Sequence, residues 1–132
     1  HYPLRRQRQM CIRDRVPGHY TFIFDASKKM IKSLKASKTD HQVGVRFVPS
    51  ITATRLLQTI KKPLLTTNIT HKLIGLSEEQ DIHSYQIEER LAHQVSMVLD
   101  PGDYEFVGPS TIYDFSDGKR ECIREGAGKL LF

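Results

Sequence analysis

The chain has 132 residues, 39% hydrophobic and 27% charged, which suits one domain with a modest core and excludes a disordered polymer. No apolar run approaches the ~20 residues of a membrane span, and no apolar stretch near the start resembles a signal peptide. The net charge of +5 divides unevenly: residues 16–72 carry eight Lys and two Arg against Asp25 and Asp40, whereas residues 73–132 carry five basic and twelve acidic residues. A basic half joined to an acidic half permits a polyanionic ligand without requiring one. Cys11 and Cys122 make neither a disulfide framework nor a zinc site, so the sequence reads as a reduced, cytoplasmic protein.

Residues 1–15 hold five Arg and no regular period, and they read as a disordered or foreign basic segment outside the fold. From Val16 the text becomes orderly. Pro17-Gly18 signals a turn, and Tyr20, Phe22 and Phe24 alternate with Thr21 and Ile23 as a strand. Ser27 caps a short helix with Met30, Ile31 and Leu34 on one side and Lys28, Lys29, Lys32 and Lys35 on the other. Val43, Val45 and Phe47 alternate across a second strand. Ser50 caps a helix with Ile51, Ala53, Leu56, Leu57 and Ile60 at core spacing, stopped at Lys61-Lys62-Pro63. Leu64-Leu65 opens a third short strand into Thr66-Thr67-Asn68, and residues 69–81 read as a loop. A helix starting at Asp81 or Ser84 places Ile87, Leu91 and Val95 about one turn apart. Met97 to Leu99 reads as a buried strand. Thr111-Ile112-Tyr113 and Cys122-Ile123-Arg124 pair across an Asp117-Gly118 hairpin turn. Alternating strands and helices point to an α/β fold, a single twisted sheet, mostly parallel or mixed, flanked by helices.

The six histidines show no metal-ligand spacing, and no G-x-S-x-G nucleophile elbow is present. Gly126-Ala127-Gly128-Lys129 lacks the first glycine and the closing Ser/Thr of a phosphate loop. The polar groups that remain sit at strand ends: Arg46, then Thr66-Thr67-Asn68, then Pro109-Ser110-Thr111 with Arg124. An arginine fork binds carboxylate or phosphate bidentately, and hydroxyls and backbone N–H groups complete such an anion pocket. Each cluster alone is more often structural.

In chain order these clusters resemble the C-terminal part of the YrdC-like family, the threonylcarbamoyl-AMP synthases, on its YciO-like branch. The matching text is PGHYTFI at 17–23, VGVRFVPS at 43–50, KPLLTTN at 62–68, HQVSMVLD at 93–100, PSTIYDF at 109–115 and IREGAG at 123–128. The resemblance implies a partial YrdC-like domain over residues 16–132, truncated at its N-terminus. It implies an enzyme, a nucleotidyltransferase joining L-threonine, bicarbonate and ATP into threonylcarbamoyl-AMP with release of pyrophosphate. That product serves downstream enzymes that install threonylcarbamoyladenosine in tRNA. ATP enters as a substrate with magnesium, and no tightly bound cofactor or resident metal is implied. By position Arg46, Thr66 and Ser110 match the threonine side, and Asn68 and Arg124 the ATP side; no catalytic residue is assigned. The run Thr66-Thr67-Asn68-Ile69-Thr70 departs from the family's Ser-Thr-Ser-Ala-Asn. The family's Lys/Arg motif for the triphosphate is not found before Val16, so the chain as given is expected to be inactive. Two other readings are a module binding double-stranded RNA or tRNA through the basic half, and a YciO-like homologue without activity.

Overall fold

Alternating aromatics decide the centre of the molecule. In the computed structural model, which describes residues 16–34, 41–102 and 107–132, strand β1 spans Tyr20–Asp25. Tyr20 and Phe22 turn into the core, while Thr21 and Ile23 lie half-buried on the opposite face. Helix α1 covers Lys28–Leu34, and its first turn is capped where Met30 N donates to Ser27 Oγ at 3.2 Å. Strand β2 is Gln42–Val45. Helix α2, Ile51–Ile60, starts at Ser50, whose hydroxyl accepts from Ala53 N, and stops at Lys61 in the left-handed region ahead of Pro63. The expected helices, caps and stops are all present here.

The described chain divides into two compact units, His1–Pro63 with Phe106–Phe132, and Leu64–Glu105. The first unit holds the sheet. Strand β3, Thr111–Asp114, and strand β4, Glu121–Arg124, form the expected hairpin around a 3-10 turn at Ser116–Gly118. The strand order is β2-β1-β3-β4. β1 and β3 are parallel, whereas β1/β2 and β3/β4 are antiparallel, so the sheet is mixed rather than mostly parallel. β2 takes the edge of β1 that β3 leaves open, pairing Phe22 with Val45 through Asp25 with Gln42. The chain turns where β1 ends, and Ala26 N donates to His41 O at 2.7 Å.

One face of this sheet carries the core. Tyr20, Phe22 and Tyr113 are its buried centre, with Val16, Phe115, Cys122 and Leu131 packed around them. Ring centroids lie 5.9 Å apart for Tyr20–Phe22, 6.5 Å for Phe22–Tyr113 and 4.8 Å for Tyr113–Phe132, within the range of favourable aromatic pairing. The Arg120 guanidinium covers Phe132 at 4.0 Å from the ring centre.

The second unit contains helix α3, His71–Ile74, and helix α4, Ser84–Leu91, with Ile74 and Leu91 as its buried apolar residues. Helix α3 replaces the loop expected there: Thr70 caps it, and Gly75 closes it at φ 69. The strands expected at Leu64-Leu65 and Met97–Leu99 do not form. Leu65 and Met97 are 76% and 74% exposed, in segments without strand pairing. Short apolar runs carry no partner information, and here no neighbouring strand takes them up. The segment 1–15 lies outside the described residues. Among the described residues no helix is long and apolar enough to cross a membrane.

Candidate functional site

Ser110 stands immediately before β3, buried at 7% exposure. Arg124, the last residue of β4, closes on it from the adjacent strand. Its Nε and Nη2 donate to the Ser110 carbonyl at 3.0 and 2.8 Å, and Nη2 also reaches the Ser110 hydroxyl at 3.2 Å. On the other side the Ser110 hydroxyl lies 2.8 Å from Thr21 Oγ1 of β1. Ile112 pairs with both Thr21 and Arg124, so these residues share the face opposite the aromatic core.

The flanking residues are gripped as firmly. Ala127 N donates to Pro109 O at 2.8 Å. The Thr111 hydroxyl, fully buried, donates to Gly128 O at 2.5 Å and accepts from Gly126 N at 3.0 Å. A Cβ on Gly126 would collide with the Pro109 carbonyl oxygen, and one on Gly128 would sit 2.6 Å from Tyr20 Cε1 and 2.7 Å from His19 O. The two glycines therefore serve close backbone approach, not a phosphate loop. Residues 124–128 hold three consecutive residues, Pro109 to Thr111, in one geometry.

Arg46 is exposed and follows β2 at the end of the sheet where β1 and β3 begin. The mixed topology produces this gathering. β2 and β4 run against β1 and β3, so the residues finishing the first pair meet those starting the second. Arg46, Ser110 and Arg124 thus belong to one end of the sheet, and Ser110 and Arg124 touch. Thr66 and Asn68 belong to the second unit, where both are exposed in the segment leading to α3.

The opposite end of the sheet has a different chemistry. Asp114 ends β3, and its Oδ1 accepts from the Ser116 hydroxyl at 2.6 Å and from Ser116 N at 2.9 Å. These bonds, the hydroxyl's first, hold the Asp114 carboxyl below the ordinary range, and the Lys119 ammonium 3.6 Å away adds to it. Gln42 Nε2 donates to the same Ser116 hydroxyl at 2.6 Å, and Asp25 accepts from Asp117 N at 3.1 Å. In the second unit, Asp100 is likewise held low by the Ser84 hydroxyl and by Gly102 N. Among the described residues no three His, Cys, Asp or Glu gather as a metal site.

Hydroxyls and guanidinium groups suit an oxyanion, and Arg46 of VGVRFVPS, Ser110 of PSTIYDF and Arg124 of IREGAG stand at this end of the sheet. The model of the Sua5/yciO/yrdC family, described as telomere recombination, matches residues 3–126. The chain belongs to this family. Its relatives place it on the YciO branch of the YrdC-like domains. It is 32% identical over 119 residues to an uncharacterized protein of Haemophilus influenzae, covering 89% of this chain and 55% of that protein. It is 29% identical to the uncharacterized protein YciO of Escherichia coli, covering 90% and 55%. The crystal structure of E. coli YciO superposes with a TM-score of 0.68 at 30% identity, over 91% of this chain and 56% of that one. The chain spans about half the length of the curated relatives it matches.

Within this YrdC-like chain, the residue that sequence reasoning missed is Thr21. Its position between Tyr20 and Phe22 reads as the outward half of an alternating strand. The available signal was a hydroxyl one register position from the Pro109-Ser110-Thr111 strand, and it becomes visible only once β1 and β3 are known to pair.

Proposed function

We propose that this YrdC-like chain forms the threonine- and nucleotide-binding part of a threonylcarbamoyl-AMP synthase. It would join L-threonine, bicarbonate and ATP into threonylcarbamoyl-AMP and pyrophosphate, a product consumed by enzymes that modify tRNA. The observation that carries this reading is the Ser110–Arg124 pair, a buried serine fixed by an arginine fork at the end of the sheet where Arg46 also stands. Arg46 and Ser110 would take the threonine, whose carboxylate suits a guanidinium and hydroxyls. Arg124 would take ATP. Arg124 uses Nε and Nη2 on Ser110, and bonds among the described residues leave the two N–H groups of Nη1 for a phosphate oxygen.

The chemistry agrees with this donor set. Attack of a threonine carbamate on the α-phosphate asks for two anionic reactants to be oriented and for developing charge to be met by fixed donors. It needs no cysteine or histidine nucleophile. Serine and arginine side chains do not fit a resident magnesium ion, which belongs with the triphosphate of the substrate. Calorimetric titration with L-threonine and with Mg-ATP tests the binding, and pyrophosphate release in bicarbonate tests the reaction. The release assay is run on this chain and on a chain joined to the part of E. coli YciO that it does not cover. Saturable threonine heat, abolished in Arg46→Ala, is the expected result, with pyrophosphate release confined to the longer chain. Absence of both in the longer chain would remove the proposal.

A further inference from the structure

We infer that Thr21 is a positioning residue that turns the Ser110 hydroxyl proton outward, toward a bound oxyanion; this rests on the reading of Ser110 as a ligand-binding residue. Two observations fix Thr21 between its neighbours. Its Cγ2 lies against β2, where a Cβ built on Gly44 would be 3.5 Å away. Its Oγ1 lies on the β3 side, 2.8 Å from Ser110 Oγ. A β-branched residue holds one χ1 well, and the methyl seated over Gly44 keeps the hydroxyl aimed at Ser110.

Hydrogen accounting then decides the direction. The Ser110 hydroxyl has one proton and two lone pairs. Arg124 Nη2 donates into one lone pair at 3.2 Å. If Ser110 donated to Thr21, it would offer an arriving anion no proton, only a lone pair. If Thr21 donates to Ser110, both lone pairs are filled and the Ser110 proton is available to a ligand. A carboxylate or phosphate oxygen favours the second arrangement, in which two fixed donors polarise the O–H that it accepts. Thr21 acts through Ser110 and touches no ligand.

The test titrates L-threonine and inorganic phosphate separately against the unmodified chain, Thr21→Val, Thr21→Ser, Ser110→Ala and the Thr21→Val/Ser110→Ala double variant, with thermal unfolding of each. Thr21→Val keeps the side-chain shape and removes the hydroxyl. It is expected to weaken the anion bound through Ser110 by up to about tenfold, the upper end of what one neutral hydrogen bond contributes. Ser110→Ala should lose a similar factor, and the double variant no more than Ser110→Ala alone. Thr21→Ser restores the hydroxyl and should bind within about threefold of the unmodified chain, which a merely structural role for Thr21 would not produce. Unchanged binding in Thr21→Val overturns the inference and leaves the threonine-and-ATP reading standing, as do losses that multiply in the double variant. Phosphate binding that depends on Thr21, with no threonine or ATP binding, sustains the inference and removes that reading. A chain that takes neither anion overturns the inference.

Discussion

The two ends of the sheet each bury a serine in a hydrogen-bonded network, and the two serines are used in opposite ways. At one end the Ser116 hydroxyl donates to Asp114 and accepts from Gln42, and its backbone N–H also goes to Asp114. Little is left over for a ligand. At the other end it is the Ser110 carbonyl that takes the strongest bonds, from the Arg124 fork, while its hydroxyl is met by Arg124 Nη2 and lies beside the Thr21 hydroxyl, with no carboxylate accepting its proton among the described hydrogen bonds. A buried serine saturated through its hydroxyl braces the turn it occupies. One pinned through its backbone is held still with its side chain in reserve.

Breaking the Ser110 end at its backbone should have the largest effect. Gly126→Ala forces a methyl group against the Pro109 carbonyl and displaces the segment that holds Pro109 to Thr111. A loss of about 3 kcal/mol is expected, in the range of overpacking against rigid backbone, with a lower urea midpoint as the measurement. Ser116→Ala at the other end leaves Gln42 without its acceptor and Asp114 without its hydroxyl donor. It should cost about 1–2 kcal/mol by the same measurement and leave threonine binding unchanged. Equal effects of Ser116→Ala and Ser110→Ala on ligand binding would erase the distinction between the two ends.

The Asp114 end should also be the acid-sensitive one. Its carboxyl titrates below the ordinary value of 3.8 in the folded chain, so the unfolded chain takes up the proton first as pH falls. The stabilisation is therefore fully present above about pH 5 and is lost as pH drops through 4 and below, into the depressed range. The stability difference between the unmodified chain and Asp114→Asn should shrink over that window, and a difference independent of pH would contradict the assignment. The smallest effects belong to exposed positions. Thr66→Ala and Asn68→Ala should each change stability by less than about 0.5 kcal/mol, so any loss of ligand affinity in them reports the site directly.

Much of this organisation was legible before any coordinates. The Tyr20, Phe22 and Phe24 alternation names β1 and its buried face, Ser27 and Ser50 announce the two helices that follow, and Asp117-Gly118 marks the hairpin. What periodicity does not carry is direction. Nothing in Val43 to Phe47 distinguishes a strand running with β1 from one running against it, and only the pairing of Phe22 with Val45 through Asp25 with Gln42 settles the matter. Leu64-Leu65 and Met97 to Leu99 read as strands because an apolar pair or triplet looks the same in a strand and in an exposed segment. His71–Ile74 reads as loop because a one-turn helix leaves no period, although the Thr70 cap and the Gly75 stop both stand in the sequence. For the site, the residue pattern already grouped Pro109-Ser110-Thr111 with Arg124 at strand ends, and the resemblance added their expected ligands. The bonds that join Ser110 to Arg124 and to Thr21 belong to strand order, which a linear pattern does not state.

The pairing of β1 with β3 has a consequence for how this chain comes into being. Tyr20 meets Thr111, and the Tyr20 hydroxyl donates to the carbonyl of Lys129, 109 positions along the chain. During synthesis the β1–β2 hairpin is made long before the strand that covers its other edge. Its aromatic face must wait until Thr111 is made, with one edge of β1 open to any other extended segment. Ser110, Arg124 and the glycines that clamp them come after both β1 and β2 in the chain. The same residues that would grip a ligand therefore close the sheet, and a chain released or stalled before residue 128 would present an aromatic, half-paired ribbon prone to self-association.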